Sequence, residues 1–559
     1  MGRSQYDQAR SEIRSMNPRL PRSVAVRTGS GWRAERERPC ITVAAASSAL
    51  LTRPIANDLE LGNQMAAAGQ HLRAAASAQE AFYEAAMYAL DVQGWPSDRV
   101  YPRQPLSDPV TAPEGARLRL WQIAPEDGRR LPPLADRPPV LETAQFSLVN
   151  SGNRTLMAPK RSWKVDLDPG RVAGMSTLNL KSMYNDPSQM REALAWGLFR
   201  TAGVPASRHT YARLGINDRY LGLFALIEQV DKAFLRERFA GKPRGNLFKV
   251  YCGDLGPGTL QRRVGADGDD SGRQYRSKNA DDATYRLKSY SDAPNANSYD
   301  DLAQLCRAID GTGLPGGADR YDTDAFAAGV REVFDVEMFL RWAGVNILVG
   351  AWDNYFATPA NYYLYNAGRG DHADVIGAPY FRFIPWDYDN TFGIDYFGTA
   401  WQYTDLLDWA SNTGDYWRRN GHGGRSQLPL ITNLLRHTGF RRYYLDHLEH
   451  LLDTSFNRPA IDAMIGASNL WGRVVPGAYL ESDSPHGSPF TGRQYTNDEV
   501  YQTGFEQFEL RHGQTFVLGV NHYVRMRYDS ARKQLDELRR RDPVGSSGAS
   551  FAAHHLATA

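Results

Sequence analysis

The hydrophobic pattern of this chain changes period near residue 300, and few folds accommodate both halves of such a chain. From residue 143 onward, apolar and polar residues alternate in short runs. Phe146 to Val149, Ser162 to Leu167, 178–180, 211–216 and 220–228 read as strands, with Asn217-Asp218 as a hairpin turn. One helix is embedded among them, SQMREALAWGLFRTA, with Asp186 as its N-cap, Pro187 at its first position, Gln189 completing a box-like arrangement and Gly203 at its end. Residues 253–300 are rich in Gly, Asp and Ser and read as a long loop or insertion. Beyond 300 the spacing predicts helices over 335–352, 428–438, 441–452 and 525–540, interrupted by short strands at 362–365 and 381–384. Strands first and helices second give an α+β fold of two lobes, with a cleft between them as the place for a ligand.

The remaining organisation follows from composition. At 559 residues, with 42% hydrophobic and 23% charged, the chain supports several structural units and a large core. Residues 1–60 read as disordered. Residues 61–140 read as an N-terminal extension, with Ala-rich helices over 62–92 and then a Pro-rich linker or meander. Residues 141–300 form a strand-rich lobe with an insertion, 301–541 a helical lobe, and 542–559 a disordered tail. The 65 basic and 63 acidic residues leave a net charge of +2, which excludes wholesale polyanion binding and with it a nucleic-acid partner. Three scattered cysteines without a CxxC exclude a disulfide framework and a structural zinc site. No apolar stretch reaches the roughly 20 residues of a membrane span. The polar start MGRSQYDQARSEIRS is no signal peptide, although Arg33 to Arg38 followed by Cys40 to Leu51 has the outline of one. These features leave a cytoplasmic location or export by a route without a clear signal peptide, and an open oligomeric state.

Several segments could carry chemistry. Phe383-Ile384-Pro385-Trp386-Asp387-Tyr388-Asp389-Asn390-Thr391-Phe392-Gly393 runs a short strand straight into two carboxylates and a Phe-Gly turn. Carboxylates at a strand end suit metal ligation, and an Asx-turn with solvated charges is the plainer alternative. Asp353 sits at the end of an apolar helix, an electrostatically poor place for an anion, and Asn361 follows eight residues later. An Asp base, an Asn oxygen and a later Asp are the components of a magnesium phosphoryl-transfer site, and simple helix termination is the alternative. Nine lysines face 56 arginines, and eight of the nine lie between Lys160 and Lys288, which reads either as one or two positions that need a compact point charge or as chance clustering in a charged domain. Lys160 and Lys164 share one face of a strand, and Glu192 on the following helix can point back toward it. A strand lysine held by a helix glutamate orients phosphates in kinases, against the alternative of a weak surface ion pair. The turn Asn150-Ser151-Gly152-Asn153-Arg154 could cover phosphates with backbone N–H groups. No P-loop, HExxH, GxSxG or Cys/His zinc pattern occurs.

Together, NSGNRTLMAPKRSWKVDL, STLNLKSMYNDPSQMREALAWGLFRTAGVPASR, INDRYLGLFALIEQVDKAFL, GNLFKV, WDNYFATPANYYLYN and FRFIPWDYDNTFG resemble the CotH kinase family, the spore-coat-protein-H-like atypical protein kinases. The resemblance covers about residues 143–400 well and extends weakly to about 540. It implies a two-lobed kinase-like fold, ATP, Mg²⁺ or Mn²⁺, and a protein substrate phosphorylated on Ser or Thr. By the same resemblance Lys160 or Lys164 would contact phosphates, Arg154 would belong to the phosphate loop, and Glu192 would be the supporting acid. Glu228 would sit where the inter-lobe strand passes the adenine. Asp353 would be the catalytic Asp, Asn361 a metal ligand, Asp387 the main metal-binding Asp and Asp389 a second. Lys249 is a further match without an assigned role. The loop NSGNRT departs from the RGNS pattern usual in the family. Transfer of AMP or another group, and a non-catalytic scaffold, are the alternative activities.

Overall fold

The computed structural model describes residues 87–100, 105–106, 108–124, 137–152, 156, 158, 160–239, 243–288, 295–370, 372–408, 428–481, 509–512 and 515–541. The segments expected to be disordered at either end, the Ala-rich stretch up to residue 86 and Arg154 lie outside the described residues.

The chain is a mixed α+β protein whose largest element is a nine-stranded, curled half-barrel sheet. Its strands are β1 (Met87–Gln93), β2 (Val110–Thr111), β3 (Arg117–Ile123), β4 (Leu141–Thr143), β5 (Phe146–Ser151), β6 (Ser162–Leu167), β7 (Thr177–Lys181), β8 (His209–Ile216) and β9 (Arg219–Glu228), in the order β2-β5-β6-β7-β9-β8-β1-β3-β4. Helix α1 (Arg191–Thr201) follows β7, and α2 (Lys232–Arg238) follows β9. A second, four-stranded sheet contains β10 (Leu247–Val250), β11 (Tyr285–Leu287), β12 (Tyr362–Asn366) and β13 (Phe381–Pro385), in the order β11-β10-β12-β13. Three helices separate β11 from β12 in the chain: α3 (Asp300–Asp310), α4 (Asp324–Val333) and α5 (Val336–Val349). Helices α6 (Pro429–Arg436), α7 (Thr438–Thr454), α8 (Arg458–Ala467), α9 (Leu470–Glu481) and α10 (Val520–Arg541) complete the helical part, with a small sheet of β14 (Ile394–Asp395), β15 (Glu509–His512) and β16 (Thr515–Leu518).

The first strand corrects the sequence expectation. Residues 87–92 end the Ala-rich run and were expected to be helical, yet β1 pairs parallel to β8 and antiparallel to β3 in the body of the large sheet. Met87 and Ala89 enter the core shared with α1, while Leu90 and Val92 enter the core on the other face of the sheet. A strand buried on both faces shows no polar alternation, so its period is hidden. The extension before 141 is therefore, where described, part of the same sheet.

Elsewhere local chemistry sets the elements. Asn217 and Asp218 both take left-handed φ, of 49° and 62°, as a tight turn between twisted strands requires. Helix α5 is apolar over most of its surface, with Glu337 and Arg341 as its charged residues, and lies at the centre of the core, packed on α7 and β13. It stops at Gly350, whose φ of 62° places its N–H on the Asn346 carbonyl. Helix α1 begins at Arg191, later than its expected cap at Asp186, because Gln189 has φ 54° and interrupts the turn. Asp186 instead accepts from the Ser188 N–H at 2.9 Å, the Ser188 hydroxyl at 2.7 Å and the Arg191 N–H at 3.0 Å, and pairs with the Arg191 guanidinium. Arg191 also donates to the Leu518 carbonyl, tying α1 to β16.

Because that pair is fully enclosed, removing one partner strands a charge. Asp186→Ala should lower stability by about 3–5 kcal/mol. The shift is read from the urea unfolding midpoint, and Arg191→Met in the same chain should restore part of the loss.

Candidate active site

The two large sheets approach each other where β7 ends and where the chain leaves β13. Pro385 closes the last pair with Tyr362, and Asp387 then takes a left-handed φ of 67°. A non-glycine residue there carries about 1–3 kcal/mol of strain, so its surroundings must hold it in place. Tyr388 does much of the holding. Its ring lies edge-on to Trp196 and Phe199 of α1, with centroids 5.2 and 4.5 Å away. Its hydroxyl accepts from the Trp342 indole at 2.6 Å and donates to the Asn346 amide oxygen at 3.0 Å, both on α5. Its backbone N–H points at Glu192 at 3.4 Å. One side chain therefore fixes the turn carrying Asp387 and Asp389 to helices of both halves.

Lys181, the last residue of β7, reaches across and pairs with Asp387, and its ammonium lies 5.7 Å from the centre of the Trp386 ring. Burial opposes its charge, but Asp387, Glu192 and Asp389 together outweigh burial and raise its pKa. Burial raises the Glu192 carboxyl to about 7, with Lys181 opposing the rise and Asp387 adding to it. Asp389 is raised well above the usual carboxylate range, first by desolvation and then by the charge of Asp387.

Asp353 stands in the loop just past Gly350. The Thr358 hydroxyl donates to one of its carboxylate oxygens at 2.9 Å, and the Asn390 amide donates to the other at 3.2 Å. Asn185 in turn donates to the Asn390 oxygen at 2.6 Å. Asn361, with a left-handed φ of 53°, donates to the Asp353 carbonyl at 2.8 Å. Asn354 joins this loop to α5 by donating to Asn346 at 3.0 Å. Asp353, Asn361, Asp387, Asp389 and Glu192 are thus brought to one region.

The lysine at the centre of this region is Lys181, not Lys160 or Lys164. Lys160 is buried, donates to the Leu223 carbonyl at 2.6 Å and lies over the Phe224 ring. Lys164 is half-buried and pairs with Asp166 on its own strand at 3.3 Å. Glu228 ends β9, but its carboxylate is enclosed by Arg208 at 2.8 Å and Arg238 at 2.5 Å. The neighbouring side chain that reaches across is Gln229, which accepts from Asn179 at 3.3 Å and donates to the Tyr363 hydroxyl at 3.3 Å. The signal for Lys181 was present in the alternation of Thr177, Asn179 and Lys181, but the strand was read as ending at residue 180.

The donor set bears on metal binding. Asp387, Glu192 and Asp389 act on Lys181, and Asp353 acts on Asp389, so four acids crowd around one lysine and push up the carboxyls of Glu192 and Asp389. Among the described residues no three His, Cys, Asp or Glu side chains form a ready-made cage. Asp387 and Asp389 are the carboxylates that could contribute to a cation whose remaining ligands came from elsewhere.

A family model described as CotH kinase protein matches residues 149–497, more than half of the chain and all of the site residues just described. The chain belongs to this CotH family. Among curated proteins it is 23% identical over 416 residues to invasin CotH3 of Rhizopus delemar, covering 73% of this chain and 62% of that protein. Invasin CotH2 of the same fungus is 26% identical over 239 residues, 42% of this chain and 35% of the relative. The inner spore coat protein H of Bacillus subtilis is 23% identical over 318 residues, 57% of this chain and 73% of the relative. The chain thus spans less than two thirds of either invasin.

Tyr388→Phe should cost about 1–3 kcal/mol, since it leaves the buried Trp342 and Asn346 groups without their shared partner. Thermal unfolding of the variant measures the loss. Tyr388→Leu should cost more, because it also removes the ring packed against α1.

Proposed function

We propose that this CotH-family chain is a two-lobed, ATP-dependent protein kinase that transfers the γ-phosphate to Ser or Thr of a protein substrate with Mg²⁺ or Mn²⁺. The observation that carries this reading is Lys181 on β7, paired with Asp387 just past the second sheet and within electrostatic reach of Glu192 on α1. A strand lysine, a helix acid and a second-lobe Asp are the parts with which kinases hold a nucleotide's phosphates. The two sheets are the walls of the two lobes, and β9 to Gln229 is the passage between them.

Each residue then has a task. Lys181 neutralises phosphate charge, and Glu192 keeps its ammonium in place. Asp353 orients the acceptor hydroxyl and takes its proton as the oxygen bonds to the γ-phosphorus, while the β–γ bridging bond breaks and ADP leaves. Thr358 and Asn390 hold both oxygens of that carboxylate, so little reorganisation accompanies the transfer. Asp387, with Asn361 and Asp389, would hold the divalent ion, which when bound offsets the charge of the phosphate oxygens. Asn179, Gln229 and the backbone beside Glu228 supply polar groups for the base.

The test uses purified protein with Mg²⁺ or Mn²⁺ and ATP labelled on either the γ- or the α-phosphate. A generic protein substrate and autolabelling are the readouts. Label from the γ-phosphate that disappears in Asp387→Ala and Lys181→Met is expected, with a loss of at least a hundredfold, on the scale of removing one electrostatic contact to a transition state. Label from the α-phosphate alone would replace this reading with AMP transfer. No label, together with no ATP-induced thermal shift, would leave a non-catalytic scaffold.

A further inference from the structure

The face of the four-stranded sheet beside Trp386 gathers cations with almost no acid. Lys249 on β10 is directly opposite Arg286 on β11 and Tyr363 on β12. Residues two apart share a face, so Tyr251 and Lys288 lie on it as well. The Lys249 ammonium sits 5.0 Å from the Tyr251 ring, 5.6 Å from Tyr363 and 5.4 Å from Trp386. The Arg286 guanidinium lies 4.7 Å from the Tyr251 ring. Rings attract a cation without neutralising it, so the charges remain available to an anion. Lys164 joins from β6 in the facing sheet. Although the Lys288 side chain is largely exposed, neighbouring atoms partly desolvate its ammonium and lower its pKa, and Arg286, Lys249 and Lys164 lower it further, so the four cations crowd one another. Among the described residues, the only carboxylate in ion-pair range of the four is Asp166, 3.3 Å from Lys164.

This cationic face lies on the Trp386 side of Asp387. The amide and hydroxyl groups around Asp353, namely Thr358, Asn390 and Asn185, involve none of its four cations. The cleft thus has an acidic pole and a basic pole, joined by Trp386 between Lys181 and Lys249. Crowded cations from two facing walls suit a compact, multiply charged anion better than carboxylates spread along a peptide.

We infer that Lys249, with Lys164, Arg286 and Lys288, is an oligophosphate-binding site that holds the phosphate chain of the co-substrate beyond the reach of Lys181. The inference rests on the cleft being a nucleotide site and adds a set of phosphate contacts that need no metal. It makes the triphosphate, rather than the nucleoside, the main source of affinity.

The experiment is titration calorimetry on the full chain in EDTA, with inorganic tripolyphosphate and adenosine as separate probes. Tripolyphosphate should bind without metal, and its affinity should fall at least fivefold in Lys249→Met and in Lys288→Met. Adenosine affinity should stay unchanged, and the salt dependence of tripolyphosphate binding should flatten. Lys288 is exposed and Lys249 half-buried, so both variants should fold, which far-ultraviolet circular dichroism checks. Absence of metal-free tripolyphosphate binding, or binding unaltered in both variants, would overturn the inference. The two readings separate cleanly. Phosphoryl transfer with unaltered tripolyphosphate binding removes the inference alone. Weakened binding in both variants, in a protein that transfers no label, removes the kinase reading and keeps the anion site.

Discussion

Tyr388 is the residue on which the arrangement depends. It lies between Asp387 and Asp389 in sequence, yet its own contacts all point inward, to Trp196 and Phe199 on α1 and to Trp342 and Asn346 on α5. A turn with a left-handed Asp needs an anchor, because the strained residue would otherwise relax into the ordinary β region. A buried ring with a satisfied hydroxyl supplies one. The same anchor sets the spacing of the two carboxylates and couples them to Glu192 through a backbone N–H.

Asn346 extends that control to the other loop. It takes the Tyr388 hydroxyl bond, accepts from Asn354, and donates to the Ala351 carbonyl at 3.1 Å. One buried amide near the end of α5 therefore registers the Asp353 loop against the Asp387 turn. A buried polar network of this kind is stabilising only when every member is paired, which makes it a specifying device more than a source of stability. Lys181 then closes the gap from the other sheet, so both halves of the molecule contribute to one cluster of charges.

Much of this was legible in the sequence where local chemistry dominates. Ser162–Leu167 is the strand its alternation announced, the Asn217-Asp218 turn has the backbone such a pair favours, and α5 is the buried apolar helix. Asp353, Asn361, Asp387 and Glu192 were singled out and are brought together. What was not legible depended on pairing over long separations. Lys181 lies 206 positions from Asp387, so only the packing of the two sheets could select it over Lys160 and Lys164. Lys160 shows the converse. It has a conspicuous place in the sequence, but its ammonium is tied to the Leu223 carbonyl. Asp186 was read as the helix N-cap, but the left-handed Gln189 moves the helix start to Arg191, and Asp186 pairs with that residue instead.

The position of β1 has a further meaning. The family model's match begins at residue 149, whereas the large sheet takes in residues from 87 onward. The unit recognised by kinship and the unit that folds are therefore different lengths. A protein cut at the edge of the similarity would lose β1 to β4, and β8 would become a bare edge with its row of amide and carbonyl groups exposed to any passing strand. The segment ahead of the family match would then be as necessary to solubility as the matched part is to the packing of the two sheets.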